Sequence, residues 1–418
     1  MISYLKRGEN LVEKVGIIAE YNPFHNGHLY HLNKVKNMFP NSYLILVLIG
    51  NFTQRADISI INKWDKTKIA LNYGYDLVVE LPFLFATQSA SFYAKGAVEI
   101  LDKLDCDYLV FGSELNDVKT LEDLVNTTYE NKDYESLVKK YVDNGNNYPL
   151  SCSLALKDLT GKLIDKPNDV LALEYVRCIK LLNSKIKPYT ITRVQSDYNS
   201  ETIESNICSA TAIRKQLKDL NDISSISKVV PNNTFDVLKS KIDDDFYPMF
   251  DDNYFEILSS IIIRDKNILN TYFDVNEGIE NKIYQSIFTS LTLDDLKESI
   301  KSKRYTMTKI KRTLNNILLG ITKNDMNKIK NVNNIPYIRI LAFNDKGREI
   351  IKNIKTNSDI NIINKFSNIS FSKDDEVFKT LIDYDIKASN IYNLIYYKNN
   401  KNLLKGPMDF YISPKYVK

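Results

Sequence analysis

Through the first half of the chain, short continuous apolar runs alternate with stretches whose apolar residues recur at helical spacing. VGIIAE (15–20), YLILVLIG (43–50), DLVVEL (76–81) and YLVFG (108–112) have the length and content of buried strands. Residues 27–39, 63–73 (ending at Gly74) and 89–104 carry the helical period between them. Strands apolar on both faces, joined by helices of this length, predict a parallel sheet covered on each side. The expected fold is α/β, a doubly wound parallel-sheet (Rossmann-like) domain over about 15–235. Pro231-Asn232-Asn233 and the acidic stretch 243–252 mark its end. From 253 the pattern turns mostly helical, as in 255–269, 293–301 and 305–319. The last places Met307, Ile310, Leu314, Ile317 and Leu318 on one face and stops at Gly320. A mostly α-helical C-terminal domain over 236–418 is expected. The Asn/Ile/Lys-rich stretch 351–365 shows no period, and residues 1–14 read as an N-terminal extension.

Composition changes this picture little. With 418 residues, two domains are the default. No apolar run approaches the length of a bilayer span, and MISYLKRGENLVEK is too polar for the core of a signal peptide, so none is expected there. The four cysteines, Cys106, Cys152, Cys178 and Cys208, stand apart without a CxxC pair. Reduced thiols in a soluble cytoplasmic protein are expected, with no membrane and no obligate protein partner. Charge is more informative. Net charge is only +4, but residues 301–418 hold 23 Lys and Arg against 10 Asp and Glu, while residues 1–230 balance 27 against 28. A polyanionic partner for the C-terminal region follows, centred on Lys303, Arg304, Lys309, Lys311 and Arg312. The competing account is a lysine-rich codon bias and a solvated amphipathic helix.

Histidine is the sharpest signal. All three, His25, His28 and His31, fall within seven residues, in the loop after the first strand and the start of the next helix. In a parallel sheet that junction is where ligands sit, and the free N–H groups of a helix start favour an anion. Gly27 allows close approach of a phosphate, and Asn22-Pro23 supplies a rigid turn. His25 and His28 are therefore candidates to stabilise charge developing on an α-phosphate as pyrophosphate leaves. A zinc site, purely structural histidines and a general base for hydrolysis are the alternatives.

His25-Asn26-Gly27-His28 resembles the HxGH signature of the HIGH-type nucleotidyltransferase superfamily. The longer text is more specific: VGIIAEYNPFHNGHLYHL, GNFTQRADISIINKWDKTKIALNYGYDLVVELPFLFATQSASFYAKGAV, LVFGSE, KPNDVLALEY, ITRV and SATAIRK. In order and spacing these resemble the bacterial tRNA(Met) cytidine acetate ligase family over residues 15–220, and more weakly through 276–283 and 303–320. The resemblance implies ATP as substrate, with Mg2+, and acetate attack on its α-phosphate to give acetyl-adenylate. Acetyl transfer to the wobble cytidine of elongator methionine tRNA, giving N(4)-acetylcytidine, would follow. It implies ATP contacts at Ile18, Ala19, Glu20, Tyr21, Asn22, Pro23, Phe24, His25, Asn26, Gly27, His28, Leu29, Tyr30 and His31, and at Gly112, Asn168 and Arg193. Ser209, Thr211 and Arg214 look like the superfamily's second phosphate-binding signature, although the same letters make an ordinary N-cap. Gln54 and Arg55 stay open between acetate, phosphate and tRNA. A small-molecule adenylyltransferase of cofactor metabolism would use the same HxGH site but leave the basic C-terminal excess unexplained. A non-catalytic tRNA-binding module would not need the intact motif.

Overall fold

The computed structural model describes residues 12–193, 206–276, 278–302, 305–330, 334–369, 375–404 and 406–418. Its centre is an eight-stranded sheet: β1 (Lys14–Ala19), β2 (Tyr43–Ile49), β3 (Leu77–Leu81), β4 (Tyr108–Ser113), β5 (Lys187–Thr192), β6 (Tyr337–Phe343), β7 (Asn361–Ile363) and β8 (Lys415–Tyr416). The order is β5-β4-β1-β2-β3-β6-β7, with β8 also paired to β6. β1 to β5 are parallel, and β6 runs antiparallel to β3.

Side-chain alternation on the strands builds two cores. Leu44, Leu46 and Leu48 of β2 face the helices Asn26–Met38 and Lys63–Asn72. Ile45, Val47 and Ile49 face the opposite layer, which includes Ala90–Lys103 and Pro167–Leu181. The chain runs outward from β1 through β2 to β3, then returns to place β4 on the other side of β1. The crevice between the carboxyl ends of β1 and β4 is thus the switch point where such sheets bind ligands.

The four predicted strands and the helices between them are present, within a residue or two of the expected bounds. After residue 235 the chain is mostly helical, as expected, but it also supplies β6, β7 and β8. Sheet hydrogen bonding therefore runs across the expected boundary near 235. YIRILAF of β6 pairs Val79 with Ile340 and Glu80 with Arg339. The patternless stretch 351–365 proves to be the end of helix Asp345–Asn357 followed by β7. Of the expected N-terminal extension, residues 1–11 lie outside the described residues, and Lys14 already belongs to β1. All four cysteines are unpaired thiols. Among the described residues, no helix is long and apolar enough to cross a membrane.

Candidate active site

The loop from β1 into helix Asn26–Met38 is held rigidly by its own side chains. Tyr21 sits in the left-handed region at φ 49°, which a bulky residue adopts only when its surroundings demand it. Its hydroxyl is bonded to that of Tyr75, and its ring meets Phe24 and His28 edge-on at 4.7 and 4.8 Å. Phe24 in turn stacks on Tyr73 at 4.8 Å. The Asn22 amide donates to the Ile58 carbonyl (3.2 Å) and accepts from the Ile60 N–H (2.9 Å). Asn26 Nδ2 donates to the carbonyls of Asn206 and Lys228. Within the segment 18–31, the side chains of Tyr21, Asn22, Phe24 and Asn26 are thus committed to shaping the loop. Ile18 and Ala19 end β1, Pro23 follows a cis peptide bond, and Leu29 and Tyr30 are half-buried on the helix.

His25 and His28 form a reciprocal cap. The Gly27 N–H donates to His25 Nδ1 (3.1 Å), and the His25 N–H donates to His28 Nδ1 (3.3 Å). The rings stack with centroids 3.7 Å apart. Because Nδ1 accepts in both, the proton of each neutral imidazole is assigned to Nε2, which leaves Nε2–H as the donor for a ligand. Burial, then the charges of Arg193 and Arg214, pushes His25 down to about 3. Burial, then His25 and Arg193, holds His28 well below its ordinary value, and burial with Arg193 pushes His31 to about 4. All three are neutral near pH 7. Among the described residues, the buried His31 Nε2 has no hydrogen-bond partner.

The cap corrects one expectation. The first N–H groups of the helix are not open to an anion. Asn26 N–H donates to the Val229 carbonyl (3.0 Å), Gly27 to His25 Nδ1, and His28 and Leu29 to the His25 carbonyl (2.9 and 3.1 Å). The charged and polar groups that remain near the helix start are the imidazoles and the guanidiniums of Arg193 and Arg214.

Three further elements converge on this loop. Arg193 follows β5, and its side chain crosses Gly112 of β4, where a Cβ would lie 3.1 Å from Arg193 Cγ. Asn168, in the first turn of helix Pro167–Leu181, donates to Glu114 Oε1 at 2.6 Å. Its buried neighbour Asp169 accepts from Ser113 Oγ and the Leu115 N–H, tying that helix to the end of β4. Ser209 caps helix Ala210–Leu220, so the ordinary N-cap role expected as its alternative is present. From that helix Arg214 reaches the Asn22 carbonyl (Nη1, 3.0 Å), Asp57 Oδ2 (Nη2, 3.2 Å) and Thr211 Oγ1 (3.4 Å). The carboxyl ends of β1 and β2 are closed from below by Lys66. Its buried ammonium donates to the carbonyls of Glu20, Ile49 and Gly50 and to Ser59 Oγ, and burial pushes it down to about 7. Nothing in the sequence distinguished Lys66 or Asp57 from surface charges.

The GNFTQRADIS loop and helix Met307–Leu319 meet at the edge of this cleft. The Gln54 N–H donates to Glu20 Oε1, and its amide donates to the Gln88 carbonyl. Lys311 donates to Asp57 Oδ1 at 2.5 Å. Arg312 is half-buried close enough to Arg55 for that charge to act on it, and its Nε has no partner among the described residues. Lys309 lies over the Tyr305 ring at 5.4 Å. Lys303 and Arg304 lie outside the described residues. Two basic residues expected on the solvated side of that helix therefore turn toward the cleft. Among the described residues, no three His, Cys, Asp or Glu side chains are grouped to hold a metal ion.

Known proteins share this architecture. A HIGH nucleotidyl transferase family model matches residues 12–405. The tRNA(Met) cytidine acetate ligase of Acetivibrio thermocellus is 38% identical over 395 residues, 91% of this chain and 95% of that protein. Its counterpart from Caldicellulosiruptor saccharolyticus is 37% identical over 409 residues, 97% and 99% of the two chains. The crystal structure of Thermotoga maritima TmcAL in its apo form superposes with a TM-score of 0.90 at 30% identity, over 97% of this chain and all of that one. The same protein bound with alpha-thio ATP gives 0.88. With a family model matched over nearly the whole chain and relatives covered over almost their full length, this chain belongs to the HIGH nucleotidyltransferase family and, within it, to the tRNA(Met) cytidine acetate ligases.

Proposed function

We propose that this chain is an ATP-dependent acetate ligase acting on elongator methionine tRNA in the cytoplasm. An acetate oxygen attacks the α-phosphorus of ATP, and pyrophosphate leaves. The exocyclic amine of the wobble cytidine then attacks the acetyl carbonyl carbon, AMP leaves, and the amine loses a proton to give N(4)-acetylcytidine. The observation that carries this reading is the stacked pair of neutral imidazoles, whose Nε2–H groups are preorganised by the cap beside Arg193 and Arg214. Donors fixed before the reaction stabilise charge developing on the α-phosphate without reorganising. Neutral imidazoles donate without adding charge to a site that already holds two guanidiniums.

The fixed, half-buried Arg193 beside Gly112, with Asn168 at the next helix start, suits the nucleoside side of ATP, while Arg214, Thr211 and Ser209 suit the polyphosphate. His31 Nε2, buried and without a partner among the described residues, is a further site for an ATP oxygen. Magnesium would be carried on the phosphate oxygens, as this ion commonly is. Lys309, Arg312 and Arg304 would meet the RNA backbone. The relatives named for acetate ligation and the alpha-thio ATP complex of the Thermotoga maritima protein support the assignment. The test is incubation with ATP, labelled acetate and total tRNA, followed by nucleoside analysis. Acetate-dependent ATP–pyrophosphate exchange together with labelled N(4)-acetylcytidine is expected. Exchange that ignores acetate would point instead to an adenylyltransferase for another acceptor.

A further inference from the structure

The ion pairs at the cleft edge link the C-terminal half to the first chemical step. Lys311 takes one oxygen of Asp57 at 2.5 Å, and Arg214 takes the other at 3.2 Å. Arg214 also donates to the carbonyl of Asn22, three residues before His25. These three side chains are only 26, 12 and 18% exposed, so solvent screens the bridge weakly. Burial pushes the Asp57 carboxyl up, but Lys311 and Arg214 outweigh it and hold it below its ordinary value. Asp57 is therefore a carboxylate shared between two cations.

Sharing has a consequence for Arg214. A carboxylate left alone with a guanidinium tends to grip it through both oxygens, with shorter and stronger bonds. Lys311 occupies Oδ1 and so keeps the Arg214 contact to a single oxygen. We propose that Lys311 is a positioning residue for adenylation: by holding one oxygen of Asp57, it keeps the Arg214 guanidinium available to the departing pyrophosphate. This rests on the ligase reading, in which Arg214 faces the polyphosphate. A basic residue that the charge pattern assigned to RNA thus acts in a step that needs no RNA.

The test is ATP–pyrophosphate exchange by the full chain without tRNA, at saturating acetate. Lys311→Met should lower the maximal rate about tenfold, as misplacement of a charge-stabilising group does. Lys311→Arg should retain most of the rate. Asp57→Asn added to Lys311→Met should recover most of what Lys311→Met loses, because the carboxylate that sequesters Arg214 is then gone. Lys311→Met should melt near the wild type, because Arg214 still pairs Asp57; a loss of rate that tracks a lowered melting temperature across the variants would make Lys311 merely structural and overturn the proposal. Lys301→Met, which removes an exposed charge paired with Glu298, should leave exchange unchanged. Wild-type exchange by Lys311→Met, with only tRNA acetylation reduced, would overturn the proposal and make Lys311 an RNA contact. A double variant as slow as Lys311→Met would overturn it too. Exchange without acetate dependence would sink the ligase reading alone, since the ratios between variants are read either way.

Discussion

Replacing Gly27 with alanine separates stability from activity in this site. Gly27 is the second residue of helix Asn26–Met38, where alanine is favoured over glycine by roughly 0.5–1 kcal/mol. The new Cβ would lie 2.9 Å from His25 Cε1 and 3.1 Å from Nδ1, backed by Ile207 Cγ2 at 3.5 Å. Ordinary carbon contacts begin near 3.5 Å, so the imidazole must retreat by roughly half an ångström. That retreat stretches the 3.1 Å bond from the Gly27 N–H and shifts His25 against His28, whose ring is stacked at 3.7 Å. Loss of a cap costs about 1 kcal/mol, which offsets the propensity gain and leaves the melting temperature nearly unchanged. Activity should not survive as well. A displaced preorganised donor costs on the order of 3 kcal/mol, about a hundredfold in rate. The assay is acetate-dependent pyrophosphate exchange beside a thermal melt, with the loss expected in kcat. Full exchange activity in Gly27→Ala would refute the claim that the position of the His25 ring carries the chemistry. A collapse of the melt would show that the cap supports the fold more than the reaction.

Four further outcomes are expected. His25, His28 and His31 stay neutral in the fold, but in the unfolded chain they take up protons below their ordinary 6.5. Stability by urea titration should therefore fall as pH drops from about 6.5 toward 4, by at most about 1.4 kcal/mol per pH unit per histidine, and a flat profile would contradict the burial argument. Asp409→Ala leaves the fully buried Lys63 and Arg339 with less compensation and should cost about 3–5 kcal/mol in the same titration, although residue 409 lies far along the chain from the histidines. Arg193→Ala should weaken ATP binding and leave tRNA affinity nearly intact in a filter assay, and the opposite split would assign the residue to RNA. Arg312→Ala should make the logarithmic salt dependence of tRNA binding shallower by about 0.7–0.9, and an unchanged slope would favour the codon-bias account of the basic excess.

The histidine loop was legible because its meaning is local. Strand, turn, glycine and three imidazoles follow one another within the span of a single βα unit, and their spacing already places His25 and His28 on one helix end. Which nitrogen carries the proton was not legible, since it depends on the Gly27 and His25 N–H groups in the folded cap. The same cap occupies the backbone donors that the bare motif seemed to offer. Arg193 and Gly112 were singled out as separate positions, and only the pairing of β4 with β5 lays one across the other.

By itself the sequence determined that the first strands form a parallel sheet, because continuous apolar runs between amphipathic helices have few other ways to be covered on both faces. It marked the histidine loop as the candidate site for the same reason: ligand-binding loops follow the carboxyl ends of such strands. Tertiary structure alone decided that β6 closes the sheet against β3. YIRILAF is strand-sized but interrupted by Arg339, and it carries no record of a partner some 260 positions away in the chain, so it stood within the stretch expected to be mostly helical. Tertiary structure also decided the fate of the charges. Lys63, Lys66, Asp57, Arg339 and Lys311 look in sequence like any solvated residue, since charged side chains are almost always exposed. Burial is tolerable for them only where partners converge from distant segments, as Asp409 does on Lys63 and Asp57 on Lys311. That convergence is a property of the folded chain, and it is what brings the basic C-terminal helix to the edge of the histidine cleft.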